Sequence, residues 1–393
     1  MSYARARLLL GMSGVGLIVV SSTLLLLTQY PLSILPTTQE WSRADLTSLG
    51  ILLIGLALGL LPLDLLGGYF LPNRWRPNTI TGKAFLLAWG RGALVQTTLF
   101  LMFSLWILLL GRSLGYVGAV LAIVSGGVGL ICFQLPIARL VGALRIVKPT
   151  ESADSSKLRE TQELLQSQGH DFVPIEILSH QDVGFTGGIV GIPGREKIIL
   201  PADLVTKLTA EELAIVIARR VEALRSGSRL RGLLLSFAWV IIGFTLSILL
   251  PGAGYDSVSG LAMACLGFTT WTFLGLLLLP TLSRQASYAI DKRILAAGAS
   301  TDYFRRTMAR LDSFQDDEPK RSRWVEAIFH PVPSVANRTS ATSVGEVAEM
   351  ERPIAWHAAR MTLFMSWACM GTLVRAVHCN VGRPELWVML PTD

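Results

Sequence analysis

The sequence is poor in charge, in histidine and in cysteine. Only 16% of its 393 residues are Asp, Glu, Lys or Arg, against about 25% in an average globular domain, so much of the chain cannot be wetted surface. There are five histidines, His170, His180, His330, His357 and His378, and no two lie three or four residues apart. That excludes a pair of imidazoles stacked on one helix face, the arrangement that holds zinc in an HExxH helix. The four cysteines, Cys132, Cys265, Cys369 and Cys379, show no CxxC spacing. Two fall inside apolar runs, where a thiol behaves as a small apolar side chain, and no structural disulfide is expected. No internal repeat and no low-complexity tract is present.

What the chain has instead is long apolar runs. A bilayer core needs roughly 20 consecutive apolar residues per helix, and six stretches meet that length. Leu8 to Leu27 carries no charge, nor does Leu46 to Leu63, which ends at Asp64. Ala84 to Leu110 is broken only by Arg91, and Ser113 to Ala138 is uninterrupted. Gly232 to Tyr255 and Ser257 to Ser283 follow. Soluble cores seldom repeat charge-free runs of this length. Arg5 and Arg7 precede the first run as they would in a signal peptide. Twenty apolar residues is long for that role, however, and Thr28-Gln29-Tyr30-Pro31 is no small-residue cleavage site. A retained anchor is expected.

Lys and Arg collect on alternate sides of these runs. Arg5 and Arg7 precede the first; Arg74, Arg76 and Lys83 lie between the second and third; Arg139, Arg145 and Lys148 follow the fourth; Arg284, Lys292 and Arg293 follow the sixth. The intervening loops are poorer in cations, so the N-terminus, segment 139–231 and everything after 283 are expected on the cytoplasmic side. The net charge of +7 is then a topology signal, and nucleic acid is not an expected partner. The lipid bilayer is.

The chain divides accordingly. Residues 1–138 are expected to form a four-helix transmembrane bundle, 139–231 the first part of a cytoplasmic domain, 232–283 a transmembrane hairpin, and 284–393 the second part of that domain. Within 139–231, Ser156 to Gln168 reads as a helix and Phe172 to Leu178 as a strand. Gly187-Gly188-Ile189-Val190-Gly191 opens a hairpin leading to a strand at Lys197 to Leu200. Thr209-Ala-Glu-Glu212 is a capping box opening a helix to about Arg225. Arg284 to Ala297 is expected to be helical and Phe314 to Arg323 a charged loop. Residues 361–377 are apolar but short for a span, so a buried or interfacial helix is expected there.

Segment 182–225 resembles the integral-membrane zinc metallopeptidases of the HtpX and CaaX prenyl endopeptidase family. Asp182-Val-Gly-Phe-Thr-Gly-Gly188 stands where that family has an edge-strand motif. Lys197-Ile-Ile-Leu-Pro-Ala-Asp-Leu204 matches the strand and linker before the active helix, and Leu208 to Ala218 matches the approach to HExxH. Ser283 to Asp291 is similar to the third-ligand segment, and His330-Pro-Val-Pro-Ser-Val-Ala-Asn-Arg338 to a late His-Pro…Arg motif. The matches run in order from about 146 to 340, around two spans at the right place. The fold implied is a mostly α integral membrane protein, about six transmembrane helices plus a cytoplasmic α+β, zincin-like domain.

The catalytic residues that the resemblance implies are absent. Arg219 stands at the first His, Arg220 at the general base, Ala223 at the second His and Ser287 at the third ligand. Arginine offers no lone pair to a metal, so no metal or other cofactor is expected. Glu222, beside these positions, reads as a surface carboxylate on a solvated helix end. Asp291, a support near the zinc helix in the family pattern, is retained. The expectation is that Arg219 or Arg220 pairs with Asp291 and puts a guanidinium where the metal's charge would be; the alternative is two arginines in solvent. Arg91 and Asp64, near one membrane face, are expected to pair, and His330 to cap a helix. The function expected is a catalytically inactive homologue, located in a bacterial inner membrane. It would bind or scaffold a polypeptide along the edge near Gly187, Gly188, Ile189, Val190 and Gly191, or regulate a membrane protein partner. The alternatives are an active metalloendopeptidase with a non-standard zinc site and, with Arg91 and the glycine-rich 113–138 run as its features, a transporter.

Overall fold

The computed structural model describes residues 2–75, 80–146, 152–170, 173–180, 182, 184–315, 321–343 and 354–388. Phe172, Val183 and residues 316–320 of the expected loop at 314–323 lie outside them. In chain order the helices and strands used below begin with α1 (Tyr3–Leu27), α2 (Arg43–Leu65), α3 (Gly82–Cys132) and α4 (Gln134–Val141). Then come β1 (Leu144–Ile146), α5 (Ser152–Ser167), β2 (Ile175–His180), β3 (Gly188–Val190) and β4 (Lys197–Pro201). Helices α6 (Ala210–Arg225), α7 (Ser228–Ile248), α8 (Val258–Ala296), α9 (Thr301–Phe314), α10 (Arg323–Phe329) and α11 (Val335–Ser343) follow. The last three are α12 (Ala358–Met365), α13 (Leu373–Ala376) and α14 (Glu385–Val388).

Five helices among the described residues are long and apolar enough to cross a membrane: Tyr3–Leu27, Arg43–Trp75, Gly82–Cys132, Ser228–Ile248 and Val258–Ala296. The expected third and fourth runs share one of them, the 51-residue α3. It is not straight. Gly115 sits at φ 64°, ψ −147°, a conformation open to glycine and strained for other residues. Trp106 Nε1 donates to Ser125 Oγ at 2.9 Å, although nineteen residues of continuous helix would separate them by about 28 Å. The helix therefore doubles back at Gly115 into two antiparallel arms.

Contacts group the described residues into two units, 1–142 with 236–275 and 362–388, and 143–235 with 276–361. Helices α7 and α8 contribute to both, and α8 continues past the apolar run that ends at 283 through the stretch expected to be helical, to Ala296.

In the first unit the helices expose many leucines and isoleucines outward, as lipid-facing helices do. Segment 361–377 is not the single helix expected. It is broken into α12, a 3-10 turn at Ser366–Cys369 and α13, and 362–376 is buried throughout. The chain that continues it to 388 is also largely non-helical, and buried backbone of that kind needs polar partners inside the protein. Arg7 Nη2 donates to the carbonyls of His378 at 2.9 Å and Cys379 at 3.0 Å, and Gln134 Nε2 to that of Val388 at 3.1 Å. Residues between Met365 and Pro384 lie against the start of α1 (Gly11, Gly14), the chain beyond the end of α2 (Gly67, Gly68), the early part of α3 (Gly92) and the late part of its second arm (Gly126, Gly127). Because successive helices run antiparallel, these positions share one end of the unit.

The second unit is built on a four-stranded sheet of order β1-β2-β4-β3. Strands β2 and β4 are parallel and the outer pairings antiparallel, with Gly188 opposite Ile199 and Val190 opposite Lys197. Helix α6 packs in its core with Leu213, Val216, Ile217 and Val221, alongside Ile290 and Ile294 of α8 and Phe304 and Met308 of α9.

Candidate functional site

Helix α6 begins at the expected capping box. Thr209 Oγ1 accepts from the Glu212 amide at 3.3 Å, and Glu212 accepts from the Thr209 amide at 3.0 Å. Arg310 adds a contact to Glu212 at 2.6 Å. In the same turn the backbone amide of Glu211, helped by the Thr209 hydroxyl, holds the Glu211 carboxyl below its usual range. The helix start is thus fixed, and with it the register that carries residues 219–223 inward.

Nearly the whole of α6 from Ala210 to Ala223 is buried, not one face of it. Arg219 and Arg220 are both 0% exposed. Arg219 Nε donates to Asp291 Oδ1 at 2.8 Å. Arg338, from α11, completes the arrangement: its Nε donates to Asp291 Oδ2 at 2.8 Å and its Nη2 to Oδ1 at 2.9 Å. One carboxylate therefore receives a two-pronged guanidinium and the edge of a second. Such charge-assisted, bidentate contacts are the strong ones among side chains.

Arg220 does not take part in that pair. Its Nη2 donates to the Thr186 carbonyl at 2.7 Å and its Nη1 to the Ile199 carbonyl at 3.4 Å, beneath the β3–β4 edge of the sheet. Gly187, at φ 101°, makes the approach feasible; a Cβ there would lie 2.3 Å from the Ile199 oxygen and 2.9 Å from Arg220 Nη1. The edge itself is occupied. Arg229, in the first turn of α7, donates to the carbonyls of Ile189 at 3.0 Å and Gly191 at 2.7 Å. Residues two apart in a strand present their carbonyls to the same side, so a guanidinium stands where an added strand would find its acceptors.

The four positions at which the resemblance expects metal chemistry do not fit zinc. Two carry permanent cations. Ala223 has no donor atom, and Ser287 Oγ donates to the Ser283 carbonyl of its own helix at 3.1 Å. Glu222 is not solvated as expected: it is 6% exposed and bonded to Arg293 at 2.9 Å. Among the described residues no group of three or more His, Cys, Asp and Glu side chains is placed to hold a metal ion.

In the first unit the expected Arg91–Asp64 pair is not formed. Arg91 donates to the carbonyls of Leu140 at 2.6 Å and Arg139 at 2.9 Å, capping the end of α4, where a cation complements the helix dipole. Asp64 is bonded instead to Arg375, to Trp89 Nε1 at 3.0 Å and to the Gly382 amide at 3.2 Å. Sequence distance hid the partner, since Asp64 and Arg375 are 311 residues apart. His330 follows α10 directly as its C-cap.

No family model matches the sequence, and no curated protein matches it. A solved structure does match: the crystal structure of Ste24p from S. mikatae superposes with a TM-score of 0.62 at 14% identity, over 77% of this chain and 76% of that one. The fold is similar to that of Ste24p. At this identity the likeness concerns the fold, which is mostly helical and carried by the apolar helices described above.

Within this Ste24p-like fold three arginines were given no role by the sequence reading. Arg338 had a signal, the final residue of the His330–Arg338 motif. Arg229 and Arg375 had none, because each serves partners distant in sequence.

Proposed function

We propose that this chain is a membrane-embedded metallopeptidase homologue without peptidase activity, acting as a binding or scaffolding protein or as a regulator of a membrane protein partner. The observation that carries the reading is Asp291 bridged by Arg219 and Arg338. Positive charge is supplied by fixed guanidinium groups, in the place where the resemblance expects a metal and an ionisable base. Arginine cannot be deprotonated in a protein, so this arrangement neither activates water nor releases its position to a cation. The occupied β3 edge supports the same reading. A polypeptide adding along Gly187 to Gly191 has first to displace Arg229, so binding through another surface is favoured over strand addition.

In this reading the two arms of α3 cross the membrane separately, giving six crossings with the N-terminus and the sheet-bearing domain on the cytoplasmic side of a bacterial inner membrane. Segment 362–388, packed against one end of its unit, enters and leaves without crossing. The deciding experiment is metal analysis of the purified protein beside a cleavage assay on an unfolded protein substrate. The expected result is substoichiometric zinc and no cleavage. Stoichiometric zinc, lost together with cleavage on chelation, overturns the proposal and establishes a non-standard active site.

A further inference from the structure

The turn between β3 and β4 carries one large apolar residue at its exposed tip. Gly191, Pro193 and Gly194 are ordinary turn residues, but Ile192 is a large apolar side chain that is 37% exposed, and exposed Arg195 follows. The turn is tied to the base of an apolar helix. Arg229, one residue into α7, holds the Gly191 carbonyl, which places Ile192 beside the point where the chain begins an apolar run long enough to cross a membrane. A second exposed apolar residue is tied to the same turn of α7: Arg231 Nε donates to the Ile354 carbonyl at 3.0 Å, and Ile354 is 49% exposed. Two residues on, the Trp356 amide donates to the Ser228 carbonyl at 3.2 Å, fixing this strand of chain along the helix base. On α7 itself Leu230 and Leu234 are exposed. Arg195 and Arg225 are exposed at the margins.

Exposed apolar side chains from three separate segments thus gather round the base of one apolar helix, with arginines beside them. A soluble surface gains nothing from that cluster, whereas the bilayer interface accepts apolar side chains at acyl depth and arginines at anionic headgroups. We propose that the β3–β4 turn, together with Ile354, is a membrane-interface foot. Ile192 and Pro193 dip into the lipid beside α7, and Arg195 and Arg225 contact headgroup phosphates. The hairpin next to the degenerate site thereby rests on lipid. This rests on the chain lying in a bilayer and is independent of whether zinc is bound.

The test uses the full chain in nanodiscs of phosphatidylcholine and phosphatidylglycerol, with a photoreactive diazirine amino acid in place of Ile192, of Ile354 or, as the control, of exposed Ala309 on α9. Adducts are identified by mass spectrometry after illumination. Lipid adducts several-fold more abundant at 192 and 354 than at 309 are expected. Position 354 carries the test if the replacement at 192 prevents folding. Lipid labelling at 192 and 354 no higher than at 309, or adducts with polypeptide alone, overturns the proposal.

Discussion

The two units each bury an aspartate on an arginine, in different ways. In the sheet-bearing unit Asp291 serves two guanidinium groups, and a third, Arg220, lies nearby on backbone carbonyls. In the unit of apolar helices the pairing is one to one. Asp64 takes Arg375, and Asp45 takes Arg112 at 3.0 Å. Lipid offers no water to a surplus charge; there Arg375 and Arg112 each meet a carboxylate, while Arg7 and Arg91 donate to backbone carbonyls. In the sheet-bearing unit the carbonyl oxygens of Thr186 and Ile199 accept from Arg220, and those of Ile189 and Gly191 from Arg229. A one-to-one pair differs in this way from a carboxylate shared by two guanidinium groups, and only the latter stands where the resemblance puts chemistry.

Mutations can break that comparison. The largest effect is expected from Asp291→Asn, which takes a shared carboxylate from two buried guanidinium groups at once; it should cost about 5 kcal/mol, the upper end for breaking a buried ion pair, measured by reversible unfolding in detergent. Asp64→Asn strands one and is expected to cost about 3–4 kcal/mol. If it costs more than Asp291→Asn, the membrane setting outweighs the number of guanidiniums. Arg375→Met should be milder than Asp64→Asn, at about 2 kcal/mol, because an abandoned carboxylate can take up a proton and an abandoned guanidinium cannot shed one. Equal losses for the two would refute that asymmetry.

Smaller changes sharpen the account of the site. Arg229→Ala removes the donor from two edge carbonyls, with an expected loss of about 2 kcal/mol. Faster amide exchange in β3 is the direct readout, and unchanged exchange would show that Arg229 does not hold the edge. Glu222→Gln, facing a partly exposed Arg293, is expected to cost about 1 kcal/mol in the same unfolding measurement.

How far the sequence could be read depended on whether a feature is local. The capping box at Thr209, the hairpin at 187–200 and the limits of α6 rest on side chains within a few residues of the backbone they fix, and all are found where the pattern put them. Burial of α6 was underestimated, because an amphipathic pattern shows one apolar face and Arg219, Arg220 and Glu222 look like the solvated remainder. Their partners, Asp291, Thr186 and Arg293, come from other segments. The separation of the two arms of α3 was legible as the break at Gly111-Arg112 between two apolar runs, while the turning point itself, Gly115, lies a few residues further on.

By itself the sequence determined that long apolar helices dominate this protein and that no histidine pair stands on the helix at 210–225, for both follow from composition and spacing. Tertiary structure decided which carboxylate each buried arginine meets. Arg91 went to a helix end, Arg375 to Asp64, and Arg219 and Arg338 together to Asp291. The reason is physical: a charge removed from water must find a partner, and which partner lies within about 3 Å is set by packing between segments far apart in the chain.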